Sequence, residues 1–241
     1  MINLLLLLTM LSAQGGSVHH VSGANVTVFY PQNVDASAAK GYLTVLDQMY
    51  SNDSGRLQVG TRGTLRVRLC RDAYQFSNLT GADSIFSPLW KDGTLYIVVG
   101  NDLADPDYAS KLESGVIRGI LNYTHSNGAP WWLICSAAIY ESGEYRDCTA
   151  PPIESVRYFA DLDEKIQGAS SATDLADLCF YLGSTGKFFD LKFGVGALVQ
   201  LMREFQHETT LNAAVKKIFH IDRAELERSW REFLAGETKG E

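Results

Sequence analysis

Residues 112–145 read LESGVIRGILNYTHSNGAPWWLICSAAIYESGEY, and the spacing of their apolar residues predicts the helical part of the fold. Apolar residues recur at three- and four-residue spacing on both sides of the segment 126–128, which contains the turn-forming sequence Ser-Asn-Gly. That spacing predicts two helices, over 108–124 and 130–144, joined by a short turn. The second half of the chain is therefore predicted to be built from packed helices.

The helical period continues to the C-terminus. Further helices are predicted over 153–165, 172–182, 188–207, 210–219 and 223–234, with breaks at 148–152, 168–171 and 183–186. Gly194 and Gly196 lie inside one of these predicted helices, where small residues favour the close packing of one helix on another.

Toward the N-terminus the pattern changes to strands. The segments 25–30 (NVTVFY), 63–70 (GTLRVRLC) and 94–99 (TLYIVV) alternate or are rich in β-branched residues, and helices are predicted over 35–51 and 72–78. Strands first and helices afterwards indicate an α+β fold. We expect one domain over residues 16–241, with a small mixed or antiparallel sheet in a strand-rich part (25–100) and a helical part over 106–235.

The second helix of the opening stretch resembles a helix of the peptidase MA-like family of gluzincin-type zinc metallopeptidases. In that family the first helix carries HExxH, and the second reads approximately PxWLxEGxAxYxE. The last Glu of the pattern falls on Ser142, and the run 193–234 resembles the closing helices of the family. The resemblance implies a zincin-like fold. The matching residues are Pro130, Trp132, Leu133, Ala138 and Tyr140.

The same resemblance indicates where a catalytic zinc would be held. Ser114 and Arg118 stand where the family has its two His ligands, Gly115 stands in place of the catalytic Glu, and Cys135 replaces the ligand Glu. A catalytic zinc needs three protein ligands and a base, and an arginine places a fixed positive charge where the cation should bind. We therefore expect no catalytic residue, no metal ligand and no cofactor, and we regard these four positions as vestigial.

Two alternatives keep a hydrolytic activity open. Cys135 and His125 lie on helices joined by a short turn and have the chemistry of a thiolate nucleophile with its base. Alternatively, the scattered His125, His207 and His220 with one cysteine on a helix would form an atypical metal site.

Two acidic groups are interpreted as structural. Asp102, Asp105 and Asp107 are predicted to form a solvated loop that caps the following helix, because their spacing is not that of an EF-hand. A second group is predicted to be a solvated helix face, formed by Asp161, Asp163 and Glu164.

Composition and the N-terminus bear on location and partners. The 241 residues include 21 Lys and Arg against 28 Asp and Glu, a net charge of −7 that argues against a nucleic-acid partner.

The apolar run 2–11, followed by small residues, predicts a signal peptide over 1–15. The run is too short to span a bilayer, and no later run is longer and as apolar. We expect an exported chain, periplasmic or extracellular, with no membrane span after cleavage.

Export would place four cysteines in an oxidising compartment. Cys70, Cys135, Cys148 and Cys179 allow three full pairings, and their spacing matches no zinc ribbon. The favoured pair is Cys148 with Cys179.

Together these observations predict an exported, non-catalytic peptidase MA-like protein with a binding or scaffolding role. Its partner would be an unidentified peptide or protein, and an extended peptide would add to the outer strand of the sheet, expected at 94–99. The alternative function is that of a hydrolase with rearranged chemistry, based on Cys135 and His125 or on an atypical metal site.

Overall fold

The computed structural model describes residues 17–60, 63–125, 128–148, 150–151, 156–205, 207 and 210–237. The predicted signal peptide over 1–15 lies outside the described residues. The described chain begins with the first strand of a sheet and ends in a helix.

The N-terminal half forms a five-stranded mixed sheet. Its order is β1-β2-β3-β5-β4, in which β2, β3 and β5 are parallel to one another and the edge strands β1 and β4 are antiparallel to their neighbours. The prediction of a small mixed sheet is confirmed. The strands are β1 (Val18–Ser22), β2 (Val26–Pro31), β3 (Leu65–Cys70), β4 (Leu89–Lys91) and β5 (Thr94–Val98).

The outer strand is not the one that the sequence predicted. The segment 94–99 was expected at the edge, but β5 pairs with β3 on one side and with β4 on the other. The edge strand β4 is only three residues long, and it joins β5 through Asp92 and Gly93, both at positive φ. A strand this short gives almost no alternation, so the sequence pattern missed it.

Most helices follow the last strand of the sheet, while the first two lie between its strands. Within the described residues, two short 3₁₀ turns, Ser84–Phe86 and Glu144–Asp147, accompany nine α-helices. The α+β prediction is confirmed. The helices are α1 (Ala36–Arg56), α2 (Ala73–Thr80), α3 (Pro106–His125), α4 (Trp131–Ser142), α5 (Phe159–Gly168), α6 (Ala172–Phe193), α7 (Ala197–Phe205), α8 (Leu211–Phe219) and α9 (Arg223–Glu237).

Helix α3 connects the sheet to the helical half. It packs on β3, β4 and β5 with one side and on α4 with the other, while α4 packs in turn on α5, α6 and α7. The centre of the helical half is aromatic: Trp132 is stacked on Phe159 with ring centroids 4.5 Å apart, and Phe159 also contacts Trp230. Burying these rings is the main stabilising contribution there.

The long helix α6 corrects the prediction about glycines. A break was predicted at 183–186, but the helix continues through this segment because Gly183 and Gly186 lie against Tyr145 and Tyr140. The chain breaks instead around Gly194 and Gly196, whose φ angles are 90° and 81°. A Cβ at either of those positions would contact nothing, so the predicted helix-packing role of Gly194 and Gly196 was wrong.

One pair of cysteines is joined. The Sγ atoms of Cys148 and Cys179 are 2.19 Å apart, so the predicted pair is confirmed, and it links the segment after α4 to α6. Cys70 and Cys135 are buried and unpaired. Within the described part of the chain, no helix has the length and apolar character needed to cross a membrane.

Candidate functional site

The two helices of the candidate site have different N-terminal caps. Asp105 caps α3, because its side chain accepts a hydrogen bond from the Asp107 N–H at 3.1 Å, as expected for the acidic loop. Helix α4 begins after Pro130 and has no cap of its own. Asp163 on α5 supplies one by accepting a hydrogen bond from the Trp132 N–H at 2.6 Å.

This contact corrects the interpretation of the second acidic group. Asp163 is half-buried rather than solvated, and burial raises the pKa of its carboxyl while the Trp132 N–H lowers it. Asp161 accepts hydrogen bonds from the N–H groups of Arg157 and Tyr158 at the start of α5. In this group Glu164 alone is exposed as predicted, because the other two carboxylates cap helices.

Ser114 and Arg118 lie one turn apart on the same face of α3, as residues four apart on a helix do. Ser114 is fully buried, and its Oγ has no hydrogen-bond partner among the described residues. The Arg118 side chain is 18% exposed, so most of the guanidinium is withdrawn from solvent.

Arg118 is paired with a carboxylate. Its Nη2 lies 3.7 Å from Oε2 of Glu144, which belongs to the 3₁₀ turn after α4. Neither Arg118 Nε nor Glu144 Oε2 forms a hydrogen bond with another described residue, so charge attraction alone joins the two groups. The pair neutralises a cation that would be costly to bury alone.

The charges of this ion pair act on the thiol of Cys135 on α4. Burial raises the pKa of its thiol to about 11, the positive charge of Arg118 acts in the opposite direction, and Asp163 and Glu144 raise the pKa further. The thiol is therefore protonated at neutral pH and is a poor nucleophile. The side chain of His125, its suggested partner, lies outside the described residues.

Gly115 is directed at the sheet. A Cβ at this position would come within 2.8 Å of Cδ1 of Leu95, a fully buried residue of β5. A glutamate there would have to displace Leu95. Arg118 therefore acts electrostatically on Cys135 and shares a face of α3 with Ser114, whereas Gly115 faces the sheet.

These residues do not fit a zinc ion. Arg118 is permanently charged and has no free electron pair to donate, and the thiol of Cys135 would have to lose its proton in a buried position. Within the described residues, no group of three or more His, Cys, Asp and Glu side chains could hold a metal ion. His207 is exposed, and His220 ends α8 in a left-handed conformation.

A second polar group, which the sequence did not predict, surrounds Arg56 at the end of α1. Its Nη2 lies 2.8 Å from Asp53 and 2.9 Å from Glu113 on α3, and its Nη1 lies 3.3 Å from the Glu141 carboxylate on α4. Arg56 Nη1 also donates a hydrogen bond to the Glu141 carbonyl oxygen at 2.7 Å. We call these four residues the Arg56 cluster.

Burial changes the ionisation of the Arg56 cluster. It raises the pKa of Asp53 to about 7; the Glu113 charge raises this pKa too, and Arg56 lowers it. Burial also raises the pKa of Glu141, against the effect of Arg56. Of these contacts, the sequence could predict only the ion pair between Asp53 and Arg56, because the two residues are three apart on one helix. Glu113 and Glu141 reach Arg56 through packing alone.

Comparison with known proteins adds no relative to this description. No family model matches the chain, and neither a curated protein nor a solved structure is significantly similar to it.

Proposed function

We propose that this chain is an exported, non-catalytic relative of the peptidase MA-like zinc hydrolases that binds a peptide. The observation that carries the proposal is the ion pair between Arg118 and Glu144, whose charges act on the Cys135 thiol. In the resemblance, Arg118 occupies the position of the second His ligand and Cys135 that of the ligand Glu. A guanidinium at this place performs the electrostatic role of a cation without binding water for catalysis.

Export is supported by two features. The disulfide between Cys148 and Cys179 is of the kind that persists in oxidising compartments. The apolar N-terminal run of the sequence has the length of a signal peptide core. Both features agree with a periplasmic or extracellular location.

Peptide binding is supported by the outer strand β4. Lys91 and Thr94 flank the two-residue turn and form the hydrogen-bonded pair next to it, so the next pair, Trp90 with Leu95, is not hydrogen-bonded. The N–H and C=O of Trp90 therefore point away from β5, toward the free edge. An extended peptide would add to this edge through those groups.

The hydrolase alternative has less support. A cysteine nucleophile acts as its thiolate, and burial opposes ionisation of Cys135. Arg118 offsets this effect only in part, because burial is the larger influence on the thiol. We therefore propose the binding role alone.

The first experiment measures the metal content of the purified mature protein after growth with added zinc and dialysis. We expect fewer than about 0.1 zinc ions per chain, and a Tm that neither zinc nor a chelator shifts by more than about 1 °C. One tightly bound zinc ion per chain would overturn the proposal.

The second experiment measures binding and cleavage of the same probe. A fluorescently labelled library of unstructured decapeptides is titrated with the protein, and mass spectrometry then follows the peptides overnight. We expect a saturable rise in anisotropy in the micromolar range with every peptide intact. Absence of binding at millimolar protein concentration, or hydrolysis of the peptides, would contradict the proposed function.

A further inference from the structure

The Arg56 cluster joins three separate helices at one guanidinium. Arg56 contacts Asp53 on its own helix, Glu113 on α3 and Glu141 on α4, all at 3.3 Å or less. Two of these carboxylates come from the helical hairpin α3–α4, and they are 57 and 85 residues away from Arg56 in the sequence. The cluster therefore fastens the last turn of α1 to that hairpin.

The cluster holds more negative charge than one arginine balances. With all three carboxylates ionised, its net charge is −2, and the Asp53 side chain is only 3% exposed. Asp53 Oδ2 has no hydrogen-bond partner among the described residues when the group is ionised. A proton on Asp53 would reduce the net charge of the cluster to −1 and would remove the cost of keeping an ionised oxygen without a donor in a buried position.

Two other charged groups face this region. Asp190 on α6 accepts a hydrogen bond from the Tyr140 OH at 2.7 Å, and its charge raises the pKa of Glu141. Arg203 on α7 donates a hydrogen bond to the Gln58 carbonyl oxygen at 3.0 Å, just after α1 ends. Gln58 has a φ of 51°, so the turn that follows α1 is held in a conformation that residues other than glycine rarely adopt.

We propose that the Arg56 cluster is a proton-operated clasp, which holds the end of α1 against the α3–α4 hairpin while Asp53 carries a proton and loosens when that proton is lost. The device responds to alkalinisation rather than to acid. It does not depend on the proposed function, because no zinc position and no part of the outer strand β4 belongs to it.

The direction follows from the proton balance. The folded-state pKa of Asp53, about 7, lies above the ordinary value of 3.8, so the folded protein keeps a proton that the unfolded chain has already lost between these values. The stabilisation is fully present below the unfolded value and is lost as the pH rises through about 7. Above that pH a buried carboxylate and two neighbouring carboxylates share one arginine.

Hydrogen exchange followed by mass spectrometry tests the clasp in the full chain. After correction for the intrinsic exchange rate, protection of peptides covering residues 50–57 should fall at least about tenfold between pH 6 and pH 9. Peptides from the centre of α6 should keep their protection over the same range. A flat profile for residues 50–57 would overturn the proposal.

Two variants separate the proton from the ion pairs. Asp53→Asn places a neutral hydrogen-bond donor at the same position, and its protection should stay high and independent of pH. Glu113→Gln removes a negative charge that raises the pKa of Asp53, and should make the dependence on pH smaller than in the wild type. Glu232→Gln, an exposed carboxylate on α9, is the matched control and should behave as wild type. If either cluster variant keeps the pH dependence of the wild type, the clasp is wrong.

Discussion

Gly186 on α6 lies directly against Tyr140 on α4. A Cβ atom at position 186 would come within 2.3 Å of the Tyr140 Cβ and 2.9 Å of the carbonyl oxygen of Ser136. Both neighbouring atoms belong to the backbone of α4 or are fixed to it, so no rotation of a side chain makes room. The hydrogen bond from the Tyr140 OH to Asp190, one turn further along α6, holds the same two helices together.

Gly186→Ala should therefore lower the free energy of unfolding by about 3 kcal/mol, because the added methyl group forces the two helices apart. Urea unfolding followed by circular dichroism measures the change. Gly41→Ala, an exposed interior position of α1 with nothing within 4 Å, is the matched control. That variant should be stabilised by about 0.5–1 kcal/mol. Equal effects of the two substitutions would contradict the close approach.

The same contact explains which parts of the fold the sequence predicts. Local periodicity predicted β2, β3, β5 and the change from strands to helices, but it predicted neither edge strand, β1 or β4. It also did not predict the continuity of α6 through Gly183 and Gly186, since glycine ends many helices and only the packing of Tyr145 and Tyr140 shows why it is needed here. Gly194 and Gly196 differ from Gly183 and Gly186, because nothing packs against them. Their positive φ angles end the helix.

The sequence likewise predicts only part of the candidate site. The positions of Ser114, Arg118 and Cys135 were identified from the resemblance of two neighbouring helices to those of the peptidase MA-like family. The Glu144 partner of Arg118 and the Arg56 cluster were not, because charge pairs between distant segments depend on how the helices pack. Hydrophobic periodicity predicts which face of a helix is buried. It does not predict which charged side chains at the edge of that face contact one another.

Removing the disulfide should destabilise the protein strongly. Cys148 and Cys179 are 31 residues apart, and opening a loop of this size is expected to cost about 3–4 kcal/mol, mainly through the greater freedom of the unfolded chain. The double variant Cys148→Ser/Cys179→Ser should show this loss in urea unfolding. Dithiothreitol should lower the stability of the wild type and leave the double variant unchanged. A reductant-insensitive wild type would show that the two cysteines are not joined in solution.

Asp163→Ala should lower the free energy of unfolding by about 1–2 kcal/mol, because the N–H of Trp132 at the start of α4 loses its acceptor. Asp163→Asn keeps an acceptor oxygen and should lose less. The neighbouring Glu164→Ala, at an exposed position of the same helix, is the control and should change stability by less than about 0.5 kcal/mol. If Asp163→Ala lowers the free energy of unfolding no more than the control does, the hydrogen bond to Asp163 contributes nothing to stability.

Alkylation of Cys135 distinguishes a buried structural thiol from an activated nucleophile. Because its pKa is raised to about 11, the thiolate fraction at pH 7 is about one part in ten thousand, and the sulfur is also shielded by burial. Iodoacetamide should therefore label Cys135 only in trace amounts in the native protein and completely in guanidinium chloride, as measured by peptide mapping.

The mapping also separates Cys135 from Cys70, whose thiol is buried and has a pKa raised to about 12. Arg118→Met removes the one charge that lowers the pKa of Cys135, so native labelling at pH 9 should become slower still. Lys111→Met, a substitution on the same helix at an exposed position, should leave the rate unchanged. Rapid labelling of the native wild type at pH 7 would mean that the thiol ionises in spite of its burial. That result would favour the alternative of a hydrolase that uses Cys135.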